Sequence, residues 1–313
     1  MTAAVQLEGL PSVRGKLEVN ASLDKLTWFR VGGCADILFT PEDADDLSYF
    51  LQNIPADMPV VPLGVGSNLL IRDGGIEGAV VRFGKKFAQI TTEDNDIIAG
   101  AGAPDIAVAS AARDAGLTGL EFLRGIPGTI GGAVRMNAGA YGSEMADILI
   151  SAEVMDRRGN RRTMTCADLQ FSYRHSSLGA DMICLSVRLR GKAGDKSEIA
   201  RRMQEIADAR EESQPLRTRT GGSTFKNPDG DKAWALIDGA GCRGLEIGGA
   251  KVSDKHCNFL INTGGATAQD IEDLGEEVRR RVMNNSGVDL TWEIRIIGQK
   301  IADQKVVDRK GTQ

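Results

Sequence analysis

The first two-thirds of the chain alternates short apolar runs with glycine-rich loops. Apolar runs of four to eight residues, or apolar residues at every second position, are typical of β-strands. This pattern predicts strands at 35–40 (ADILFT), 78–83 (GAVVRF) and 183–190 (ICLSVRLR). The segments SAEVMD and RRTMT, separated by a turn at Gly159-Asn160, predict a hairpin.

Two stretches in the same part of the chain carry the spacing and the end signals of helices. One helix is expected to begin at Pro41, with Thr40 as its N-terminal cap and acidic residues in its first turn. The other is expected to run from Pro104 through IAVASAARDA and to end at Gly116. Strands and helices mixed in this way predict an α+β fold.

The pattern changes after about residue 195, where two amphipathic helices are predicted. The segment KSEIARRMQEIADARE has Ser197 as its expected cap, and TAQDIEDLGEEVRRRVMNNSG has Thr267. Four apolar side chains of the second helix share one stripe: Ile271, Leu274, Val278 and Val282. We therefore place a domain boundary near residue 200.

The segment LTWEIRIIG, at 290–298, alternates as a strand does. Trp292, Ile294 and Ile296 are expected on one face, with Glu293 and Arg295 on the other. Because an unpaired carboxylate is costly to bury, Glu293 stands out in this otherwise apolar strand.

Length and charge exclude several classes of protein. The chain has 313 residues, enough for two domains, and a formal charge of −5, which gives no general attraction to nucleic acid or to an anionic membrane. The opening residues MTAAVQLEGLPSVRGKLEVN lack the apolar core of a signal peptide, and no long apolar run predicts a spanning helix. We expect a cytoplasmic monomer without a nucleic-acid or membrane partner.

The cysteines and histidines give no sign of a metal site. The five cysteines are scattered, no CxxC pair occurs, and the chain has only 2 histidines. We therefore expect neither a bound metal nor a disulfide framework.

The 38 glycines concentrate in three segments: RVGG at 30–33, PLGVGSNLLIRDGG at 62–75 and GIPGTIGGAVRMNAGAYG at 125–142. None ends in GK[ST] and none reads GxGxxG, so both familiar nucleotide-loop patterns are missing. Glycine lets a backbone approach a ligand closely, and consecutive amides form anion-binding nests. Tight turns would explain any one loop equally well. Two such loops together favour a diphosphate cofactor stretched between two strand-rich subdomains.

These three segments also carry a resemblance. Together with FSYRHS (171–176), GGSTFKNP (221–228), GGAKVSDKHCNFLIN (248–262) and LTWEIRIIG, they closely resemble the UDP-N-acetylenolpyruvoylglucosamine reductase family, in order, over most of the chain. The chain is similar to the shorter members, which lack an inserted loop with a tyrosine over the substrate.

The resemblance implies an α+β fold in which a two-subdomain FAD-binding module of the vanillyl-alcohol oxidase/PCMH type precedes an α+β substrate-binding domain. The corresponding limits are 1–200 for the module, with a split near 80, then 201–300 for the substrate domain and 301–313 for a polar tail. It also implies non-covalent FAD, with NADPH as the hydride donor. The residues that match the FAD loops are Gly32, Gly33, Pro62, Leu63, Gly64, Val65, Gly66, Ser67, Asn68, Leu69, Gly125, Ile126, Pro127, Gly128, Thr129, Gly131, Gly132, Ala133, Asn137, Ala138, Gly139 and Ala140.

The reaction implied by the resemblance is the NADPH-dependent reduction of UDP-N-acetylglucosamine enolpyruvate to UDP-N-acetylmuramate, a peptidoglycan precursor. Hydride added to the enolpyruvyl methylene leaves an enolate, which needs donors around the carboxylate and an acid for the alpha carbon. By their match to family motifs, Arg174 and Glu293 would stabilise the enolate and Ser223 would supply the proton. The residues expected to contact the substrate are Tyr173, Gly222, Lys226, Asn227, His256 and Asn258.

Structural explanations exist for several of these residues. Arg174 alone is typical of a surface salt bridge, and Ser223 and Lys226-Asn227 are typical of turns. Two other functions also stay open. One is an FAD-dependent oxidase of the same flavin-domain superfamily, and the other is a flavin-binding regulator that has lost catalysis.

Overall fold

The computed structural model describes residues 9–301. Most of the predicted tail at 301–313 lies outside these residues. The chain first forms a four-stranded sheet with the order β1-β2-β5-β3, in which β1 is antiparallel to β2 while β2 and β3 run parallel to β5. The elements of this first region of the chain are β1 (Lys16–Ser22), β2 (Cys34–Thr40), α1 (Ala44–Asn53), β3 (Val60–Leu63), β4 (Leu69–Ile71) and β5 (Ile76–Arg82). Strand β4 is not part of the four-stranded sheet.

A second, antiparallel sheet follows, with the order β12-β11-β13-β7-β6. Helices α2 and α5 contact each other, and both supply apolar residues to the core beneath this sheet. The elements are β6 (Ile90–Glu93), β7 (Asp96–Gly100), α2 (Asp105–Ala115), β8 (Leu117–Thr118), α3 (Ile130–Met136), β9 (Gly139–Ala140), β10 (Ser143–Glu144), α4 (Met145–Ile148), β11 (Leu149–Met155), β12 (Arg161–Thr165), β13 (Ile183–Arg190), β14 (Lys192–Ala193) and α5 (Lys196–Ser213).

The C-terminal region is built on a sheet with the order β15-β18-β17-β16, which α7 covers with the apolar stripe that its sequence predicts. The last strand, β19, leaves this region and pairs in parallel with β4 of the first. The elements are β15 (Arg219–Ser223), α6 (Ala233–Gly239), β16 (Glu246–Ile247), β17 (Ala250–Val252), β18 (Phe259–Asn262), α7 (Ala268–Ser286) and β19 (Arg295–Ile297).

The strands predicted at 35–40, 78–83 and 183–190 are confirmed within two residues, as is the hairpin of β11 and β12. Helix α2 ends at Gly116 as predicted. The predicted cap of α7 is also confirmed: the Thr267 hydroxyl accepts from the amide of Asp270, and the Asp270 carboxylate accepts from the amide of Thr267. Helix α5 crosses residue 200 and supplies Ile199 and Met203 to the core beneath the second sheet. The proposed domain limits stay predictions.

Two predicted caps are wrong. Helix α1 begins at Ala44, and its cap is Asp43, whose carboxylate accepts from the amides of Asp45 and Asp46. Residues 41–43 lie before the helix, where the amide of Glu42 donates at 2.9 Å to the carboxylate of Asp46 in the first turn.

Helix α5 is capped by Asp195, which accepts from the amides of Ser197 and Glu198. Ser197 therefore lies inside the first turn of the helix and is not its cap. Asp195 takes the capping position because its carboxylate reaches the amides two and three residues further on, where the helix leaves backbone donors without partners.

The continuous strand predicted at 290–298 is also shorter than expected. Only Arg295–Ile297 forms β19, because the amide of Glu293 donates 2.8 Å to the carbonyl of Thr224 in the C-terminal region before the chain crosses over to β4. The predicted alternation holds nonetheless, since Trp292, Ile294 and Ile296 all belong to the C-terminal core.

Candidate active site

A cleft of about 480 Å³ opens where the three parts of the chain meet. This volume lies within the range of ligand-binding pockets. Two glycine-rich loops form much of its wall, and β15 and the end of the C-terminal region form the rest. The predicted cofactor residues that line it are Pro62, Gly64, Val65, Gly66, Ser67, Asn68, Leu69, Gly125, Ile126, Pro127, Gly128, Thr129, Gly132, Ala133, Ala138, Gly139 and Ala140.

The two loops touch through atoms that leave no room for larger residues. A Cβ atom added to Gly64 would lie 2.4 Å from the hydroxyl oxygen of Thr129. One added to Gly128 would lie 2.8 Å from Oδ2 of Asp105. A larger residue at either position would force the Thr129 or Asp105 side chain to move, so glycine fits the close packing here. Residues of both loops line the cleft.

Three of the predicted cofactor residues lie behind this wall. The amide of Gly33 donates 3.1 Å to the carbonyl of Arg72, so RVGG packs against the far end of the second glycine segment. Gly32 has φ +115° and packs on Ile71, and Leu63 is buried in the core of the first sheet. None of the three lines the cleft.

Gly131 and Asn137 do not line the cleft either, and instead contact other parts of the protein. A Cβ atom on Gly131 would lie 2.9 Å from the Cβ atom of Ala101, because α3 packs closely there. Asn137 is buried at the end of α3, where its amide group donates to Ser172 at 3.1 Å and accepts from Ala146 at 3.0 Å. This residue ties the 125–142 loop to the segment that carries Arg174.

The Arg174 side chain lies in the cleft against Glu293. Its Nε donates to Oε1 of Glu293 at 2.7 Å, and a terminal nitrogen donates to the carbonyl of Gly139 at 3.1 Å. Both side chains are mostly buried, with 21% and 15% of their surface exposed. The ion pair thus joins the second sheet region to the C-terminal region at the cleft.

The backbone at Arg174 is strained. Ser172 and His175 exchange two backbone hydrogen bonds of 3.0 Å and close a tight turn, in which Arg174 has φ +54°. Glycine is the residue that adopts this conformation without cost. A non-glycine residue there costs of order 1–3 kcal/mol, and such strain clusters at functional sites.

Ser223 is the last residue of β15 and lines the same cleft. The pairing of β15 with β18 shifts register between Thr220 and Ser223, across Gly221 and Gly222. Gly222 has φ +80°, and a Cβ atom on Gly221 would lie 2.4 Å from the ring of Phe29. Such a bulge redirects the next side chain, which explains the GGS sequence.

Burial and charge act in opposite directions on Glu293. Desolvation raises the pKa of this carboxyl, and the neighbouring Arg174 and Lys226 cations lower it in part. The backbone is fixed on both sides, because Asn68 donates 3.1 Å to the Glu293 carbonyl and accepts 3.0 Å from the amide of Arg295. The loop at 62–69 thereby holds the backbone of Glu293 in place.

The predicted substrate residues divide into two groups. Gly222 lines the cleft, and Lys226 lies close enough to Glu293 to affect its charge. Tyr173 is half exposed, with the Arg174 guanidinium 5.2 Å from its ring centre. Asn227 is exposed, and its side chain accepts from the amide of Ala233 at 3.0 Å, where α6 begins.

His256 and Asn258 lie one layer behind the cleft. The Asn258 side chain is buried and bonds both the amide and the carbonyl of Phe225, at 2.9 and 2.8 Å. His256 packs edge-on against Phe259, which lines the cleft. Burial lowers the pKa of His256. Both residues therefore support the strand that presents Ser223.

Relatives of known identity agree with this architecture. Residues 214–297 match the model of the UDP-N-acetylenolpyruvoylglucosamine reductase C-terminal domain, and residues 35–165 match that of an FAD binding domain. The UDP-N-acetylenolpyruvoylglucosamine reductase of Parvibaculum lavamentivorans is 58% identical over 95% of this chain and 96% of its own length. The enzyme of the same name from Erythrobacter litoralis is 57% identical over 96% of this chain and 92% of its own.

This chain belongs to the UDP-N-acetylenolpyruvoylglucosamine reductase family. A crystal structure of the Thermus caldophilus enzyme of that name is similar over 91% of this chain and 99% of its own, with a TM-score of 0.78 and 38% identity. The predicted α+β fold, with a flavin module of the vanillyl-alcohol oxidase/PCMH type, is confirmed, as is the predicted enzyme class. The same findings support the predicted use of FAD and NADPH. No helix within residues 9–301 is long and apolar enough to cross a membrane.

The cleft fits the FAD of this family on structural grounds. At Gly132, which lines the cleft, an added Cβ atom would meet only the Thr129 hydroxyl, at 3.9 Å, so the backbone there borders open space that a cofactor can fill. The hydroxyl groups of Ser67 and Thr129 lie in the two loops that form the wall of the cleft.

Three charged residues that sequence reasoning missed also line the cleft: Asp105, Arg135 and Arg295. Asp105 reads in sequence as an ordinary acid in the first turn of a helix, and nothing in it signals burial. The guanidinium of Arg135 donates to the carbonyl of Leu178 at 3.2 Å, and burial lowers the pKa of this residue. It fixes the loop that follows Arg174.

Proposed function

We propose that this protein reduces the enolpyruvyl group of UDP-N-acetylglucosamine enolpyruvate to give UDP-N-acetylmuramate, with NADPH as the source of electrons. The observation that carries this proposal is the position of Arg174, Ser223 and Glu293 on one cleft, beside the two glycine-rich loops. The relatives from Parvibaculum lavamentivorans and Erythrobacter litoralis are named as reductases of the same substrate.

FAD, when bound in the cleft and reduced by NADPH, would supply the hydride for the methylene carbon of the substrate. The protein must then stabilise negative charge that develops next to the substrate carboxylate. Arg174 is suited to this role because its guanidinium is always charged and presents several donors in one plane. In a mostly buried position it interacts with developing charge more strongly than it would in water.

Glu293 supports the same charge as a proton-bearing group. An ionised carboxylate beside an enolate would repel it, whereas a neutral acid donates a hydrogen bond to it. Burial raises the pKa of Glu293 and so favours the neutral form. The Arg174 and Lys226 cations oppose this shift.

Ser223 delivers the proton that completes the reaction at the alpha carbon. A serine hydroxyl is a weak acid, so proton loss must be assisted by a cation or by a second acid. The bulge at Gly221-Gly222 directs Ser223 to the cleft, where Arg174 and Glu293 also lie. Lys226 would add positive charge on the substrate side, and Tyr173 would contact the substrate at the rim.

The proposal is tested with the purified protein in two steps. NADPH, added without oxygen, is expected to bleach the flavin absorbance, and UDP-N-acetylglucosamine enolpyruvate is expected to restore it with formation of UDP-N-acetylmuramate. Restoration by oxygen alone, with no response to the enolpyruvyl substrate, would instead identify an oxidase. A flavin that NADPH does not bleach would identify a non-catalytic binding protein.

A further inference from the structure

Two arginines at the edge of the cleft, Arg124 and Arg210, have no acidic partner. Neither forms an ion pair with a carboxylate within residues 9–301, and both are partly exposed. The one side-chain hydrogen bond that Arg210 makes within this range runs from its Nε to Oε1 of Gln214, at 3.2 Å. Each guanidinium group therefore keeps free donors that a ligand can reach.

Arg210 lies on the face of α5 that borders the cleft. Ile206 and Arg210 are four residues apart and share this face, and Gln214 follows where the helix ends. A Cβ atom added to Gly125 would lie 3.3 Å from Cγ2 of Ile206. Gly125 and Gln214 both line the cleft. Arg210 is therefore placed between two points at which α5 meets the cleft wall.

Arg124 approaches the same place from the other side. It directly precedes Gly125 in the chain, and the ring of Tyr141 covers this corner, 2.7 Å from the point that a Cβ atom of Gly125 would occupy. The Tyr141 hydroxyl donates 3.3 Å to the carbonyl of Ile206. Burial lowers the pKa of Arg210, Tyr141 opposes this shift, and the nearby Arg124 cation adds to it. Two like charges are thus held close together.

The other arginines of α5 show how such charges are normally compensated. On the exposed surface of the helix, Arg201 and Arg202 both pair with Glu198, at 2.6 and 3.2 Å. The last turn of a helix favours a cation, which helps Arg210 but leaves its repulsion with Arg124 in place. An anion that binds both guanidinium groups would remove this repulsion.

We propose that Arg124 and Arg210 bind the 2′-phosphate of NADPH. A phosphate monoester carries a charge of about −1.5 to −2 at pH 7, which matches two guanidinium groups. The nicotinamide must enter the cleft to reach the flavin, so the adenosine end of NADPH extends toward the edge, where the two arginines lie. NADH lacks this phosphate, and the pair therefore selects NADPH. This inference rests on the proposed function, in which NADPH is the source of electrons.

The test compares NADPH with NADH as reductants of the flavin in the full-length holoenzyme, without oxygen. Arg124→Met and Arg210→Met each remove one charge and keep an unbranched apolar side chain. Each should raise the NADPH concentration that half-saturates flavin reduction by about ten- to a hundredfold, the usual effect of losing a hydrogen bond between charged groups. The value for NADH should stay unchanged, as should the rate of reduction at saturating NADPH.

Arg201→Met is the matched control, because it removes the same charge from the same helix away from the cleft. It should leave the values for NADPH and NADH unchanged. An equal rise for NADPH and NADH in Arg124→Met and Arg210→Met would overturn the proposal, because the pair would then bind a phosphate that both reductants carry. Weaker binding of UDP-N-acetylglucosamine enolpyruvate with unchanged NADPH binding would also overturn it and assign the pair to the substrate diphosphate.

Calorimetric titration with adenosine 2′,5′-bisphosphate measures the site without flavin chemistry. The natural protein should bind this probe more tightly than adenosine 5′-monophosphate, and Arg124→Met should lose the difference even if Arg210→Met does not fold. Equal binding of the two probes by the natural protein would overturn the proposal. A flavin that NADPH does not bleach would contradict the proposed function instead, and the titration would still decide whether the two arginines bind a 2′-phosphate.

Discussion

The two sides of the cleft are built in different ways. The side proposed to hold the cofactor consists of residues from two glycine-rich stretches, 62–69 and 125–140. The opposite side holds Arg174, Ser223 and Glu293, three side chains from distant parts of the chain. On the first side an added methyl group should do harm, because space is required. On the second side the loss of a functional group should do harm, because charge and protons are required.

The largest effect is expected from Ser223. If it supplies the proton to the alpha carbon, Ser223→Ala should slow reoxidation of the flavin by the enolpyruvyl substrate by about a thousandfold, in the range of general acid catalysis. Reduction of the flavin by NADPH involves no proton on a substrate carbon and should stay near its normal rate. Rapid mixing, followed through flavin absorbance, measures the two half-reactions separately.

Ser223→Cys is the matched control for this prediction. A thiol is a stronger acid of similar reach, so the variant should regain part of the reoxidation rate. Equal slowing of both half-reactions in Ser223→Ala would indicate a structural role for the bulge of β15 and remove Ser223 from proton transfer.

The next effect concerns the ion pair of Arg174 and Glu293. Loss of one preorganised electrostatic group typically costs about a hundred- to a thousandfold in turnover, and we expect this for Arg174→Ala and for Glu293→Ala. Folding should be affected less than turnover, since the pair faces the cleft and the loss of Arg174 leaves a carboxyl whose neutral form burial already favours. Turnover and urea unfolding of each variant provide the measurement.

The pair Arg72–Glu272 is a control of similar geometry outside the cleft. The guanidinium of Arg72 donates to both carboxylate oxygens of Glu272, at 2.9 and 3.0 Å, and ties the first region to α7. Arg72→Ala should therefore lower the free energy of unfolding and leave turnover of the folded protein unchanged. A comparable loss of turnover in Arg72→Ala and Arg174→Ala would make the Arg174 pair structural as well.

A smaller effect should separate two neighbouring glycines of the cofactor side. Gly132 lines the cleft, and a Cβ atom there would meet only the Thr129 hydroxyl, at 3.9 Å. Gly132→Ala should weaken FAD binding about tenfold, by crowding the cofactor, while it stabilises α3 by up to about 1 kcal/mol. Fluorescence titration with FAD and thermal unfolding without FAD would show these opposite changes.

Gly131→Ala is the control, because its added methyl group would meet Ala101 at 2.9 Å inside the protein. We expect this variant to lose stability in the absence of FAD. Retention of full FAD affinity in Gly132→Ala would show that the cofactor does not approach α3 at this residue.

The pair Gly131–Gly132 also shows how far sequence reasoning reaches. The density of glycine in 125–142 is local information, so the loop could be recognised without coordinates. Which of two adjacent glycines faces a ligand depends on how α3 sits against Ala101, which the sequence does not state. Likewise, sequence motifs indicate Arg174 and Glu293 as candidate catalytic residues. Their 2.7 Å contact depends on the path of the chain, in which β19 crosses over to pair with β4.

Asp105 marks the same limit for charged residues. Its position after Pro104 is typical of an acid in the first turn of a helix, and nothing in the sequence indicates that the side chain is buried, as it is in the structure. Burial arises because the 103–105 segment pairs with the loop around Gly128, through bonds such as Ile130 N–H to Ala103 O at 3.0 Å. This pairing joins segments that are distant in the chain, so no local pattern reveals it.

The smallest expected effect is a dependence of stability on pH that belongs to Asp105. Its pKa is raised in the folded protein by burial, whereas the unfolded chain has an ordinary carboxyl. Between these two pKa values the folded state holds a proton that the unfolded state releases, so the free energy of unfolding falls as pH rises, by at most about 1.4 kcal/mol per pH unit. Below the ordinary carboxyl pKa both states are protonated, and the energetic penalty of burying an ionised carboxylate vanishes.

The variant Asp105→Asn has no proton that titrates in this range. Its advantage over the natural protein, measured by urea unfolding without FAD, should grow from acidic toward neutral pH, while the titrations of other groups cancel in the difference. Glu293 also has a raised pKa, but it belongs to the catalytic side, so its titration should appear in the pH profile of turnover. A stability difference that stays constant with pH would mean that Asp105 is ionised in the folded protein, and the cofactor side of the cleft would then carry a negative charge.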